Sequence, residues 1–296
     1  MPKFSIIDAP SILGLRPTGV EHLPEALKGA GLLEKLNAEY KGNVLTLPYN
    51  PVRDETTQIL NPNAIKIFSL RLAEAVYEIL SDKNFPIVLG GDCSILIGSL
   101  LALKRLGGYG LFFIDGHADF YQPTASPTGE VADMDLAIIS GRGPDILTNI
   151  DNSRPLIQDE NIVIFGCRDA EQAAIDGSQN VRDTDILVFD LAQIQNLGVK
   201  SIASQAVEEL LKKDISGFWI HLDVDVLNDE IMPAVDYRLE GGLNFSDLSE
   251  LLKILLSSGC AVGMDITIFN PSLDKDGSIA HQLVSSIVAG LSDFVV

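Results

Sequence analysis

The stretch GLFFIDGHAD, residues 110–119, changes abruptly from apolar residues to side chains that can bind a metal ion. Its apolar half, residues 110–114, is short and rich in large apolar side chains, which is typical of a buried β-strand. Alternate side chains of an extended segment share a face, so Asp115, His117 and Asp119 are expected to point the same way. The stretch therefore predicts a buried strand that ends at a polar site.

The rest of the chain alternates between short apolar runs and longer stretches with apolar residues at three- and four-residue spacing. The predicted strands are residues 4–7, 44–47, 87–89, 110–114, 162–165, 186–189, 218–222 and 262–268. The predicted helices are residues 64–80, 94–106, 201–213, 245–257 (with Ser246 as cap) and 277–291, and a weaker candidate, interrupted by glycines, at 24–37. This alternation predicts an α/β fold, a three-layer sandwich with a mainly parallel central sheet and helices on both faces. No linker divides residues 1–296, which are predicted to form a single domain.

The composition excludes several classes of function. Hydrophobic residues make up 46% of the chain and charged residues 21%, as in a globular protein with a large core. The formal net charge is −20 and no basic patch is found, so we expect no nucleic-acid partner. No apolar run approaches the roughly 20 residues of a membrane span, and no signal peptide is recognised. With only three scattered cysteines, the chain is expected to be cytoplasmic and to have no membrane partner.

Two other apolar runs also end in polar residues, in VLGGDCS at 88–94 and in HLDVD at 221–225. The carboxyl ends of parallel strands meet at one edge of a sheet, where loops converge on a ligand. Several carboxylates buried there would repel one another unless a cation lay between them. Oxygen ligands with one or two imidazoles suit manganese and related divalent ions. A single Asp-x-Asp is more often a turn with a capping aspartate, but the three motifs together predict a metal site.

These segments resemble the signatures of the arginase (ureohydrolase) family, which includes agmatinase and formimidoylglutamase. Its members carry Gly-Gly-Asp-His-Ser, Asp-Ala-His-x-Asp and Ser-x-Asp-x-Asp, and the similarity runs from Gly19-Val20-Glu21 to Asn270-Pro271-Ser272. The resemblance implies the arginase-like fold, two Mn²⁺ ions and a homo-oligomer, a trimer or a hexamer. It also implies a small-molecule substrate with a guanidine-like or amidine-like carbon. A metal-bound hydroxide would attack that carbon, and a linear C–N bond of the substrate would break.

The resemblance also implies roles for individual residues. Asp115 and Asp223 would bridge both ions, Asp119 and Cys93 would complete one of them, and His117 and Asp225 would complete the other. Asp119 would also orient the hydroxide. Thr128 and Glu130 lie where arginases bind the amino-acid end of their substrate, and Glu171 lies where an acid holds the α-amino group. A solvated loop charge is an equally good interpretation of Glu130 and Glu171.

Three departures from the family pattern affect the expected chemistry. Cys93 stands at a family histidine; as a thiolate it would favour zinc or iron, and as a neutral thiol it would leave one ion missing. Ala132 stands at the histidine that transfers protons, a role that His221 could take as a catalytic residue, although a strand histidine is more often structural. Ile268 stands at a glutamate that grips the guanidinium. Its loss favours a less basic substrate, such as an N-hydroxyguanidino or formimidoyl compound.

Two other functions remain open at the level of the sequence. A catalytically inactive arginase-family protein with a ligand-binding or structural role is favoured by Ala132 and Ile268 and opposed by the retained carboxylates. Metal analysis separates it from an enzyme, because two bound ions per chain would favour chemistry and none would favour an inert protein. A deacetylase-like amide hydrolase is the third interpretation, and it lacks support because the tandem histidines of those enzymes are not present.

Overall fold

The computed structural model of the chain describes residues 3–294, and it contains one eight-stranded sheet. The strands are β1 (Phe4–Asp8), β2 (Glu39–Asn43), β3 (Phe85–Leu89), β4 (Gly110–Ile114), β5 (Ile162–Phe165), β6 (Leu187–Phe189), β7 (Phe218–Asp223) and β8 (Ala261–Thr267). Their order is β2-β1-β3-β8-β7-β4-β5-β6, and every neighbouring pair is parallel. Each connection therefore crosses from one end of the sheet to the other, as in other α/β folds.

Helices occupy most of these connections. They are α1 (Leu23–Gly29), α2 (Leu32–Lys35), α3 (Pro62–Ser81), α4 (Leu96–Leu106), α5 (Asp135–Ile139), α6 (Asp145–Thr148), α7 (Ala170–Ile175), α8 (Leu191–Leu197), α9 (Val199–Leu211), α10 (Phe245–Ser257) and α11 (Ser278–Leu291). Within residues 3–294, no helix is long and apolar enough to cross a lipid bilayer.

The two faces of the sheet are covered by separate layers of helices. Phe112 belongs to the same apolar cluster as the buried residues of α9, α10 and α11, whereas Phe113 belongs to a second cluster with those of α3 and α4. Adjacent residues of β4 thus point into opposite layers, as the two-residue period of a strand requires. Because both faces are buried, inner strands such as β3 and β4 are apolar throughout. This arrangement confirms the predicted three-layer α/β sandwich.

One strand prediction was wrong. Residues 44–47 lie outside the sheet, and the strand at this edge is β2, whose side chains are all partly or fully exposed. An edge strand has one neighbour and half-solvated faces, so the polar sequence of β2 can form it, and apolarity does not mark its position. The chain leaves the sheet at Val44, whose N–H donates to the carbonyl of Asp8 at 2.8 Å, and Leu45 is 71% exposed.

Two local predictions at helix ends had different outcomes. The weak helical stretch at 24–37 is divided into α1 and α2, and Gly31 between them has a φ of 90°. Such a backbone suits glycine, so the predicted interruption is confirmed. The cap of α10 is Asn244 and not Ser246, because the Asn244 side chain accepts a hydrogen bond from the Asp247 N–H.

The sheet order brings the three polar motifs to the middle of one edge. The motifs follow β3, β4 and β7, and these strands lie together with β8 in the order β3-β8-β7-β4. All four strands run in the same direction, so their carboxyl ends lie side by side. The fold therefore places the predicted ligands at the centre of the sheet edge, away from its exposed margins.

Candidate metal centre

Side chains from the three motifs contact one another. The Sγ of Cys93 donates to Asp223 Oδ2 at 3.0 Å, which joins the loops after β3 and β7. His117 Nδ1 lies 2.9 Å from Asp225 Oδ2, which joins the loops after β4 and β7. Asp115 lies at the end of β4 and is completely buried. The predicted ligands Cys93, Asp115, His117, Asp119, Asp223 and Asp225 thus form one cluster at the sheet edge.

Tight turns orient the carboxylates. Asp115 Oδ1 accepts from the His117 N–H at 2.6 Å, and Asp223 Oδ1 accepts from the Asp225 N–H at 2.7 Å. One oxygen of each carboxylate is held by the backbone in this way. The motif residues after Ile114 therefore converge through turns, and not through the alternation of an extended strand that the sequence suggested.

A glycine and a left-handed residue complete the loop after β4. Gly116 donates its N–H to Asp225 Oδ1 at 3.0 Å, and a Cβ at this position would lie 2.8 Å from the same oxygen. Asp119 has a φ of 44°, in the left-handed region that aspartate tolerates better than most residues. The hydrogen bond from Gly116 holds this loop against Asp225, which follows the neighbouring strand β7.

Burial and mutual repulsion shift the titration of the cluster. Burial, then the charge of Asp225, raises the pKa of Asp115 to about 6. Burial and neighbouring carboxylates raise the pKa of Asp119 and that of Asp223 well above the usual range. Burial alone would raise the pKa of Asp225, but adjacent His117 outweighs it and the pKa falls. Carboxylates without a cation are therefore disfavoured at this edge.

The cluster fits a divalent cation better than it fits the protein alone. Asp115 Oδ2 is buried and has no hydrogen-bond partner. Across residues 3–294, no lysine or arginine side chain forms an ion pair with the four clustered aspartates, whose charged partner is His117. Buried carboxylates are normally paired or bound to metal, so an ion would satisfy both the charge and the free oxygen.

Within the described part of the chain, residues 3–294, two sets of side chains have ligand atoms within 4.8 Å of one another. One contains Asp115, His117 and Asp225, three residues to which the resemblance assigned metal binding. The other contains Cys93, Asp115 and His221. The second set includes a histidine that the sequence analysis had considered for proton transfer. Asp119 and Asp223 adjoin both sets in the wall of the same cavity.

A cavity of about 350 Å³ opens above the cluster. Its wall includes the predicted substrate residues Thr128 and Glu130, and also Ala132 and Ile268. Glu130 is buried and already paired, because Arg16 lies 2.8 Å from one oxygen and the Tyr237 hydroxyl donates to the other at 2.6 Å. Glu130 is thus a fixed part of the wall, and its negative charge is largely compensated.

The other two predicted residues lie elsewhere. Glu171 is exposed on α7 and lines a neighbouring cavity, whereas Gln172 of the same helix faces the cavity above the cluster. His221 is completely buried within β7 and is not among the residues that line the cavity. The substrate role of Glu171 and the proton-transfer role of His221 stay predictions, and neither side chain has direct access to a ligand in this cavity.

Sequence reasoning did not identify Asp135 and Asp265. Asp135 is completely buried, and its Oδ2 has no hydrogen-bond partner. Burial, then the charge of Asp115, raises its pKa well above the usual range, so it belongs electrostatically to the cluster. Asp265 is also completely buried and contacts His221. The available signal was an aspartate inside an apolar stretch, MDLAII at 134–139 and VGMDIT at 262–267.

Comparisons with known proteins identify the family of the chain. A model of the arginase family matches residues 3–292. The arginase of Staphylococcus aureus strain COL is 32% identical over 292 residues, which cover 96% of this chain and 95% of that protein. The structure of Bacillus caldovelox arginase aligns with a TM-score of 0.88 at 26% identity, over 98% of each chain. Formimidoylglutamase from Bacillus subtilis strain 168 shares the fold, with a TM-score of 0.77 at 16% identity over 100% of this chain and 88% of that one. The chain belongs to the arginase family.

Proposed function

We propose that this protein is a metal-dependent hydrolase that breaks a linear C–N bond in a guanidine-like or amidine-like small molecule. The observation that carries the proposal is the buried cluster around Asp115, whose Oδ2 has no partner, beneath a cavity of about 350 Å³. Asp115, His117 and Asp225 would hold a divalent ion there, and the ion would lower the pKa of a bound water molecule toward neutrality. Membership of the arginase family supports the same class of reaction.

The chain's own residues position the substrate and carry its protons. We assign to Asp119, in the cavity wall beside the cluster, the orientation of the attacking water. Apart from His117, no histidine among residues 3–294 lines the cavity, and Ala132 cannot carry a proton. We assign proton transfer to the leaving nitrogen to the carboxyl groups that line the cavity. Asp169 and Asp176, which also line the cavity, favour a substrate with an ammonium tail.

The substrate that we propose is less basic than a guanidinium. Ile268 lines the cavity above the cluster, where it offers no charge to a cationic head group. A fully charged guanidinium would lose its hydration there without gaining an ion pair. An N-hydroxyguanidino compound has a neutral form at moderate pH, and a formimidoyl compound is less basic than a guanidine, so each loses less than a guanidinium does. Arginine itself is the alternative substrate that this proposal must exclude.

Turnover of a small substrate panel tests the proposal. The protein is loaded separately with Mn²⁺, Zn²⁺ and Co²⁺, and arginine, N-hydroxyarginine and a formimidoyl amino acid are compared by release of urea, hydroxyurea, formamide and ammonia. We expect higher kcat/KM for the two less basic compounds. Asp115→Asn should abolish turnover. A clear preference for arginine would overturn the substrate class, and no turnover of any compound with any metal would overturn the hydrolase.

Ile268→Glu tests the charge argument directly. The new carboxylate would meet the substrate's head group in the cavity, so the ratio of kcat/KM for arginine to that for N-hydroxyarginine should rise by about tenfold or more, the equivalent of roughly 1.4 kcal/mol. Ile268→Gln, with the same size and no charge, is the control and should leave the ratio near that of the wild type. An equal rise in both variants would show that space, and not charge, determines the preference.

An inert family member is the second candidate function. The observation in its favour is that Ala132 and Ile268 both face the cavity, where the family pattern has reactive or charged side chains. Metal content measured on the purified protein separates the candidates. Two ions per chain support the hydrolase, and a protein that takes up no ion from excess Mn²⁺, Zn²⁺ or Co²⁺ supports the inert role.

A further inference from the structure

His221 is held in one orientation by its surroundings. Its ring is stacked on Phe113, with the ring centroids 4.7 Å apart, and its Nδ1 lies 2.5 Å from Asp265 Oδ1. The other oxygen of Asp265 accepts a hydrogen bond from Trp219 Nε1 at 2.7 Å. A carboxylate only accepts, so the bonding pattern places the imidazole proton on Nδ1 and leaves the lone pair on Nε2.

One nitrogen of His221 lies close to the carboxylate cluster. His221 Nε2 is buried and has no hydrogen-bond partner, and the same is true of Asp115 Oδ2. One nitrogen of His221, the sulfur of Cys93 and one oxygen of Asp115 lie within 4.8 Å of one another. Since Asp265 occupies Nδ1, Nε2 is the nitrogen that remains available. An imidazole with a carboxylate on one nitrogen and the other nitrogen free is the usual state of a metal-binding histidine.

We propose that His221 Nε2, Cys93 Sγ and Asp115 Oδ2 bind one divalent cation, and that His221 supplies the imidazole that the family signature has at position 93. In this chain Cys93 stands where Gly-Gly-Asp-His-Ser has its histidine, and His221 stands where Ser-x-Asp-x-Asp has its serine. The two departures compensate each other across the sheet, since Cys93 follows β3 and His221 lies on β7, with β8 between the two strands. This assignment deepens the proposed function and rests on its metal centre, but it does not require hydrolysis.

The ligand set determines which metal is bound. Cys93 donates its S–H to Asp223 in the metal-free protein. The incoming cation replaces that proton, which is released to solvent, and the thiolate becomes the ligand. Thiolate and imidazole are softer than the carboxylates that bind manganese, so this position prefers zinc or cobalt to manganese. The position that contains His117 and Asp225 keeps the oxygen-rich set and prefers the harder ion.

Titration of the metal-free protein with Co²⁺ tests this assignment without an activity measurement. We expect a near-ultraviolet thiolate-to-cobalt charge-transfer band at one cobalt per chain. Cys93→Ser should lose the band, whereas Cys167→Ser, which removes another buried thiol, should keep it. His221→Gln should weaken cobalt binding at this position by about 100-fold or more, and His281→Gln, at an exposed histidine, should not. Circular dichroism establishes that each variant is folded.

Asp265→Asn is the second variant, for the case that His221→Gln does not fold. Loss of the carboxylate that orients the imidazole should weaken cobalt binding by roughly 10–100-fold. Cobalt binding without a charge-transfer band, or unchanged affinity in both His221→Gln and Asp265→Asn, would overturn the assignment. A normal cobalt spectrum with no hydrolysis would overturn the proposed function alone. Hydrolysis at the wild-type rate in both Cys93→Ser and His221→Gln would overturn the ligand set alone.

Discussion

Asp133 shows how burial can couple a single carboxyl group to the stability of the whole protein. Its Oδ2 accepts a hydrogen bond from Ser126 Oγ at 2.7 Å, while its Oδ1 is buried without a partner. Burial raises the pKa of Asp133 from 3.8 to about 7, against the opposing effect of the Ser126 hydrogen bond. At pH values between 3.8 and about 7, the folded state therefore keeps a proton on Asp133 that the unfolded state has released. Its contribution to stability is complete at low pH and is lost as the pH rises to about 7.

Asp133→Asn should remove this pH dependence, because asparagine keeps the acceptor for Ser126 and does not ionise. The free energy of unfolding of the variant, relative to that of the wild type, should rise by up to about 4 kcal/mol between pH 4 and pH 7. Denaturant unfolding of both proteins with a metal chelator, at intervals across this range, measures the difference. Asp82→Asn, at an exposed position, is the control. Parallel stability curves for wild type and Asp133→Asn would contradict the assignment.

At the residue scale, the sequence predicted which side chains meet but not how each is oriented. The clustering of these side chains was predictable because their motifs follow apolar runs that end at one edge of a parallel sheet. The free nitrogen of His221 was not, since it depends on the distant Asp265, which fixes the ring through a tertiary contact. Glu171 was predicted to bind substrate from its position in the chain. In the structure, Gln172 of α7 lines the cavity above the cluster, whereas Glu171 lines the neighbouring cavity.

At the element scale, the start of α10 offers a test of helix capping. Asn244 Oδ1 accepts from the Asp247 N–H at 2.9 Å, and Asp247 Oδ2 accepts from the Asn244 N–H at 3.0 Å. Asn244→Ala should therefore lower the free energy of unfolding by about 1 kcal/mol. Ser246→Ala should change it by no more than about 0.5 kcal/mol, because Ser246 caps no backbone group and only donates to Asn244. Equal losses in the two variants, measured by denaturant unfolding, would contradict this cap.

The sequence predicts elements well where burial makes their pattern regular. Inner strands such as β3 and β4 are buried on both faces and read as short apolar runs, and α3 and α10 have clear helical spacing. The edge strand β2 was misplaced because its polar residues give no such signal. Short helices such as α7 were missed for the same reason: α7 contains no buried residue to define a face.

At the scale of the whole molecule, the sheet edge concentrates negative charge that the rest of the fold does not neutralise. The chain has a net charge of −20, and its four clustered aspartates are almost completely buried. Their pKa values are raised at Asp115, Asp119 and Asp223, so ionisation of these groups works against the folded state as the pH rises. A cation that binds only the folded chain would reverse this cost, so that metal binding would be coupled to folding.

This coupling predicts a gain in stability on metal binding. A free divalent ion at 100 times its dissociation constant should raise the free energy of unfolding by about 2.7 kcal/mol for each site. Asp115→Asn removes a ligand and one buried charge, so the metal-free variant should be at least as stable as the metal-free wild type near neutral pH, yet gain much less from the ion. Denaturant unfolding with a chelator and with Mn²⁺ or Zn²⁺ measures both effects. Potassium chloride at matched ionic strength is the control for screening, which acts on every exposed charge. An equal gain in stability from that salt would show that general screening stabilises the fold, and not occupancy of this cluster.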